Sequence, residues 1–250
     1  MYNPFSLDGK TILVTGASSG IGRGTAIECA KMGAKVVLSG RNEVRLQETL
    51  VSLEGEGHLV ICGDLNSEII RKEIVDKMPL INGVVHCAGI LQLRAAKFMD
   101  NTFLEDIIHT NVISPLMLNS LLLKKKKIQK GSSIIFMSSI SGIYCSQIGE
   151  GAYGATKAAL AGYAKSLAIE LSAQGIRVNT IHPGLVETPL LAGSKGTFGE
   201  EEFDTLRRKY PLKRFGKPED IARCAVYLLS DASNWMTGSN ILIDGGFTLK

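Results

Sequence analysis

Seven short apolar runs punctuate this chain, and between them apolar residues recur every three or four positions. Thr11–Thr15, Lys35–Ser39, Leu59–Cys62, Gly83–Gly89, Ser133–Met137, Arg177–Ile181 and Asn240–Ile243 are too short for helices, rich in Val and Ile, and each predicts a strand. Their apolar positions are consecutive, the pattern of a strand covered on both faces. The helical periodicity falls at about 21–32, in segments opening at Glu43 and after Asp64, at 103–126, at 152–171 and at 219–229. Pro115 predicts a kink in the long helix, preceded by a weakened turn. Residues 190–210 carry Gly193, Gly196 and Gly199 with little periodicity, so a lid is expected over 189–210. Strand–helix alternation predicts an α/β fold: a doubly wound, seven-stranded parallel sheet with helices on both faces. No linker or repeat divides it, so a single domain spanning 1–250 is expected.

Composition narrows the function classes. Hydrophobic residues make up 45% and charged residues 21%, ordinary for a globular protein. Twenty-eight basic against twenty-four acidic side chains leave +4, too mild to argue for nucleic acid or a membrane surface. No apolar run approaches the roughly 18–20 residues of a membrane span. The opening Met-Tyr-Asn-Pro-Phe-Ser-Leu-Asp lacks a basic region followed by an apolar block, so no secretory leader is expected. Cysteines 29, 62, 87, 145 and 224 are scattered and read as reduced thiols of a cytoplasmic protein. His58, His86, His109 and His182 form no ligand pattern, and no metal is expected.

Candidate chemistry begins where the first strand ends, at Thr15-Gly16-Ala17-Ser18-Ser19-Gly20-Ile21-Gly22. Glycines between a strand and a helix let backbone approach a pyrophosphate, which then sits at the positive helix N-terminus. After the second strand, where a carboxylate would bind a ribose 2′-hydroxyl, the chain reads Ser39-Gly40-Arg41-Asn42. A missing acid and an available Arg41 favour a 2′-phosphate, hence NADP(H) over NAD(H). Asp64, before Leu65, can accept from an adenine amino group, cap the next helix, or do both. Tyr153 and Lys157 are four apart on a predicted helix and share a face. A nearby ammonium favours the phenolate, so the tyrosine pKa is expected to fall from about 10 toward the range of a general acid–base catalyst. By itself the spacing more often marks a half-buried tyrosine beside a solvated lysine.

Together, Thr15-Gly16-x-x-x-Gly20-x-Gly22, Ala88-Gly89, Asn111, Ser139, Tyr153-x-x-x-Lys157 and Pro183-Gly184 resemble the short-chain dehydrogenase/reductase family. The likeness covers almost the whole chain and implies a Rossmann fold and an oxidoreductase. The resemblance makes Tyr153 the proton donor to a carbonyl oxygen, or the base in the reverse direction. Lys157 would support its phenolate and hold the nicotinamide ribose, Ser139 the substrate oxygen, and Asn111 a water in a proton relay. It further implies cofactor contacts from Gly16, Ser18, Ser19, Gly20, Ile21, Gly22, Arg41, Asp64, Leu65, Ala88 and Gly89. Pro183, Gly184, Val186 and Thr188 would flank the nicotinamide. Ser138 and Ser141 compete for the serine role; Ser139 fits best, with Gly142 three residues later.

Two departures stand out. His86-Cys87 replaces the family's frequent Asn-Asn and loses a sheet-bracing side chain, both residues reading as plain strand. Ser139 and Tyr153 are separated by thirteen residues, one more than is common, which reshapes the pocket rim. The chain is most similar in look to 3-oxoacyl-[acyl-carrier-protein] reductases, implying a 3-oxoacyl thioester substrate and an acyl carrier protein as partner. Lys124–Lys127 and Lys130 could meet that acidic carrier, or simply complement a helix C-terminus. Ala173-Gln174-Gly175 lacks a second basic residue common in carrier-dependent members. Leu190, Leu191 and Phe198 in the lid lean toward an acyl or alicyclic substrate. The alternatives are a steroid, sugar or other small secondary alcohol, and, from another class, a catalytically silent NADP(H)-binding sensor. The family also implies a homotetramer or dimer.

Overall fold

The apolar runs assemble into one parallel sheet in a computed structural model, which describes residues 2–192 and 200–249. β1 (Thr11–Thr15), β2 (Lys35–Gly40), β3 (Leu59–Cys62), β4 (Ile81–His86), β5 (Ile128–Met137), β6 (Arg177–Pro183) and β7 (Asn240–Ile243) lie in the order β3-β2-β1-β4-β5-β6-β7. The helices are α1 (Gly20–Lys31), α2 (Glu43–Val51), α3 (Glu68–Lys77), α4 (Asn101–Ile108), α5 (Ser114–Lys124), α6 (Gly151–Leu171), α7 (Pro189–Ala192), α8 (Glu200–Lys209) and α9 (Pro218–Leu229). Side chains alternate across the sheet. Ile12 and Val14 of β1 enter a core shared with α1 and α9, while Leu13 enters the opposite core with α5 and α6. Both faces are covered, which explains the consecutive apolar positions. No helix among the described residues is long and apolar enough to cross a membrane.

Three expectations need correction. The long helix is two: a π-helical turn, His109–Ile113, separates α4 from α5, and Pro115 sits in the first turn of α5. Proline has no N–H and crowds the carbonyl four residues back; a widened turn before it relieves the clash. Within 189–210, where little periodicity was read, the described residues form α7 and α8. Phe203, Leu206 and Tyr210 recur at helical spacing there and pack with Phe215 and Phe247. Gly193, Gly196, Phe198 and Gly199 lie outside the described residues. Finally, the lysine cluster is not beside the cleft. α5 runs back beneath the sheet, so Lys124–Lys130 fall where β5 starts, at the N-terminal edge of the strands. There Lys125 pairs with Asp76 at 3.2 Å and Lys127 donates to the Met78 carbonyl.

Candidate active site

Strand order reverses between β1 and β4, and in such sheets a crevice opens beyond the C-terminal strand ends. A cleft of about 580 Å³ occupies that position. Its floor is the glycine turn. Gly16 and Gly20 have φ of 67° and 54°, in the left-handed region open to glycine. A Cβ on Gly22 would stand 2.3 Å from the Gly16 carbonyl oxygen, so only hydrogen fits there. Ser19 is the N-cap of α1 but makes no side-chain cap bond, leaving the first N–H groups of the helix facing the cleft. That is the chemistry of an anion cradle, and it fits a nicotinamide dinucleotide's pyrophosphate.

One end of the cleft is basic: Arg41 lines it, and so does Arg45, which the sequence reading missed. Asn42 caps α2 by accepting from Arg45 N–H at 2.9 Å, setting Arg45 one turn along beside Arg41. The available signal was a second arginine four positions on. Asp64 and Leu65 line the same end. Of the two roles weighed for Asp64, capping falls to another residue: Ser67 caps α3, accepting from Ile70 N–H at 3.4 Å. Asp64 accepts from Asn66 N–H at 3.0 Å and is exposed toward the cleft.

The other end is built where β4, β5 and α6 meet. Tyr153 and Lys157 both line the cleft, with Lys157 Nζ 5.7 Å from the Tyr153 ring centre. Lys157 is buried and donates to the Met137 carbonyl at 3.0 Å. Ser138 lines the cleft and Ser139 does not; the Ser138 hydroxyl is taken up by the Lys157 carbonyl, to which it donates at 2.8 Å. The Ser139 hydroxyl accepts from Ser141 N–H at 3.1 Å and, beside Tyr153, favours its phenolate. His182 Nδ1 donates to the Ser139 carbonyl at 2.9 Å, fixing that backbone from the β6 side. Asn111 sits in the π turn with its amide paired to the Ile90 backbone, accepting at 2.8 Å and donating at 2.9 Å. A Cβ on Gly89 would lie 3.0 Å from Asn111 Oδ1 and 3.3 Å from Lys157 Nζ, so all three converge.

The electrostatics overturn one expectation. Burial pushes the Tyr153 phenol up to about 12; the Ser139 hydrogen bond opposes this and the Glu150 charge adds to it. Burial also pulls Lys157 down to about 8, with Cys87 opposing. Desolvation outweighs attraction because the ammonium points at the Met137 carbonyl instead of the phenol oxygen. Tyr153 is therefore a protonated acid at neutral pH.

Ala88, Gly89 and Thr188 also line the cleft, whereas Pro183, Gly184 and Val186 do not. Gly184 packs on Asp244, and Val186 is buried against Gly216. His86 stacks on Phe136 with ring centres 4.7 Å apart, and burial holds it down at about 3. Cys87 is pushed up to about 12 by burial, so it is no thiolate.

Comparison with known proteins adds the following. Residues 16–248 match a family model described as enoyl-(acyl carrier protein) reductase. The chain is 33% identical to the 3-oxoacyl-[acyl-carrier-protein] reductase FabG of Rickettsia felis, over 97% of this chain and 98% of that one. Among solved structures it is similar to a short chain dehydrogenase/reductase family protein, with a TM-score of 0.86 and 30% identity, covering 97% and 99% of the two chains. A candidate NAD(P)-dependent gluconate 5-dehydrogenase from Beutenbergia cavernae with bound NADP aligns with a TM-score of 0.87 and 27% identity, over 99% and 100%.

Proposed function

This chain belongs to the short-chain dehydrogenase/reductase family, oxidoreductases acting on carbonyls or secondary alcohols with a nicotinamide cofactor, and we propose on that premise that it reduces a 3-oxoacyl thioester with NADPH. The observation that carries this is one cleft lined by Arg41 and Arg45 at one end and by Tyr153 and Lys157 at the other, with buried Ser139 next to the tyrosine. Bound NADPH supplies the hydride. Arg41 and Arg45 hold its 2′-phosphate, the first N–H groups of α1 its pyrophosphate, and Asp64 and Leu65 its adenine. Lys157 holds the nicotinamide ribose, with Ala88, Gly89 and Thr188 beside it. Backbone of Pro183, Gly184 and Val186 supports the same ring from behind the wall. Ser139 fixes the substrate oxygen, Tyr153 protonates it, and Asn111 keeps the water that reloads Lys157. A phenol protonated at neutral pH suits reduction.

An acyl substrate is supported by the name of the Rickettsia relative and by Ile143, Tyr144 and Ile148, exposed apolar residues between Ser139 and Tyr153. If an acyl carrier protein delivers it, Lys124–Lys130 take no part, because they lie at the other edge of the sheet. The gluconate dehydrogenase likeness favours a sugar or another small secondary alcohol as the second reading. We further propose a cytoplasmic homotetramer or dimer, assembled through α4, α5, α6 and β7, and a lid over 189–210.

NADPH oxidation assays against acyl thioesters, steroids and keto sugars test the activity. Tyr153→Phe is expected to bind NADPH normally and lose roughly 10²-fold or more in rate. Near-normal turnover would refute the assignment. Removing Arg41 and Arg45 together should weaken NADPH by at least tenfold, since each charge-assisted bond is worth about 1.5–3 kcal/mol, with NADH little changed. An unchanged NADPH/NADH ratio would mean another group reads the phosphate.

A further inference from the structure

Between Ser139 and Tyr153 the chain makes a turn that returns to α6 at Glu150. Two groups of that turn converge on one carboxylate oxygen: the Ser141 hydroxyl donates to Glu150 Oε2 at 3.0 Å, and Gln147 N–H donates to it at 3.1 Å. Ser141 also donates its own N–H to the Ser139 hydroxyl at 3.1 Å, and that hydroxyl favours the Tyr153 phenolate. A connected hydrogen-bond path thus runs Glu150, Ser141, Ser139, and ends beside Tyr153. Glu150 is the N-cap of α6, three residues before the tyrosine, where the helix dipole favours a negative charge.

We infer that Glu150 is a positioning residue: its carboxylate locks the 141–147 turn to the start of α6 and so orients the Ser139 hydroxyl at the phenol. This rests on the reading of Tyr153 as the acid. With one lone pair of Ser139 Oγ taken by Ser141 N–H, its hydrogen is left to point at the phenol or at the substrate oxygen. Glu150 also acts on the phenol through space, its charge raising the Tyr153 pKa. The other groups that face the phenol are Ser139 from the end of β5 and Lys157 from α6. The α4 side that packs against Tyr153 is apolar, with Phe103, Leu104 and Ile107. Cys145, on the same turn, also feels the Glu150 charge.

The test compares Glu150→Gln, Glu150→Ala and Ser141→Ala with wild type, using NADPH and a short 3-oxoacyl thioester. The amide oxygen of glutamine can accept both bonds but carries no charge. Glu150→Ala is expected to lose roughly tenfold or more in kcat with the NADPH Kd unchanged, as for a lost bond to a charged acceptor. Glu150→Gln should restore most of that loss. Ser141→Ala should reproduce the kcat loss, and it stands in for Glu150→Ala should the latter fail to fold. An ultraviolet difference titration of the phenol, with Tyr153→Phe as blank, should show its pKa shifted down in Glu150→Gln and unmoved in Ser141→Ala. That readout needs no substrate, so a wild type inactive on every carbonyl would defeat the proposed function and leave this inference decidable. Wild-type kcat in both Glu150→Ala and Ser141→Ala, or a phenol titration unmoved in Glu150→Gln, would overturn it.

Discussion

Lys157 keeps 6% of its surface exposed, and burial brings its pKa from 10.5 to about 8. Reduction needs the ammonium charged and the phenol protonated, so the rate should be highest below about pH 8 and fall as Lys157 loses its proton. A pH profile of kcat/KM checks this, and Lys157→Arg should remove the limb because guanidinium stays charged. The same shift has a consequence for stability. Between about 8 and 10.5 the unfolded chain binds a proton at this lysine that the folded chain does not. Stability therefore rises with pH across that window, and the cost of burying the charge is fully present below it. That cost is on the order of 3 kcal/mol. Lys157→Met should accordingly gain roughly 1–3 kcal/mol in urea unfolding at pH 7 while losing turnover. Equal or lower stability would mean that the bond to the Met137 carbonyl outweighs the burial cost. The helical spacing made the Tyr153–Lys157 pair legible in sequence, but the direction of the tyrosine shift was not. Desolvation is summed over β4, β5 and α6, which lie far apart in the chain.

Two glycines decide how β5 and α6 meet. Gly142 follows the serines with φ of 100°, and a Cβ there would stand 2.2 Å from the Gly154 carbonyl oxygen. The obstacle is backbone, which cannot rotate aside. Gly142→Ala should destabilise the fold by roughly 2–4 kcal/mol, combining left-handed strain with overpacking. It should also depress kcat by displacing Ser139; thermal unfolding alongside steady-state kinetics would show both. An unchanged melting temperature would mean the turn repacks freely. At this scale the strand runs and most helices could be read from periodicity. Pro115 also flagged a weakened turn before it; that the turn is π-helical could not be read, because it depends as well on where Asn111 must reach to pair with Ile90.

For the whole molecule, apolar surface remains where assembly is proposed. Met117 on α5 and Ile169 on α6 are 46% and 78% exposed, and Trp235, shortly before β7, is fully exposed. If α5 and α6 pair between copies, Ile169→Lys should shift the mass measured by light scattering to a smaller species and make the melting temperature depend on concentration. On a monomer, an exposed substitution of this kind changes stability by only about 0.5 kcal/mol. A wild type of monomer mass at micromolar concentration would end the proposal.

Local pattern by itself determined the strands, the glycine turn and the tyrosine one helical turn from its lysine, because each depends on neighbours within a few residues. The fold class followed from their alternation. Tertiary structure alone decided what depends on distant segments meeting. It set Arg45 beside Arg41, carried Lys124–Lys130 to the far edge of the sheet and joined Glu150 to Ser141. It also made Tyr153 a stronger holder of its proton, since burial and hydrogen-bond direction belong to the packed molecule and not to any one stretch of chain.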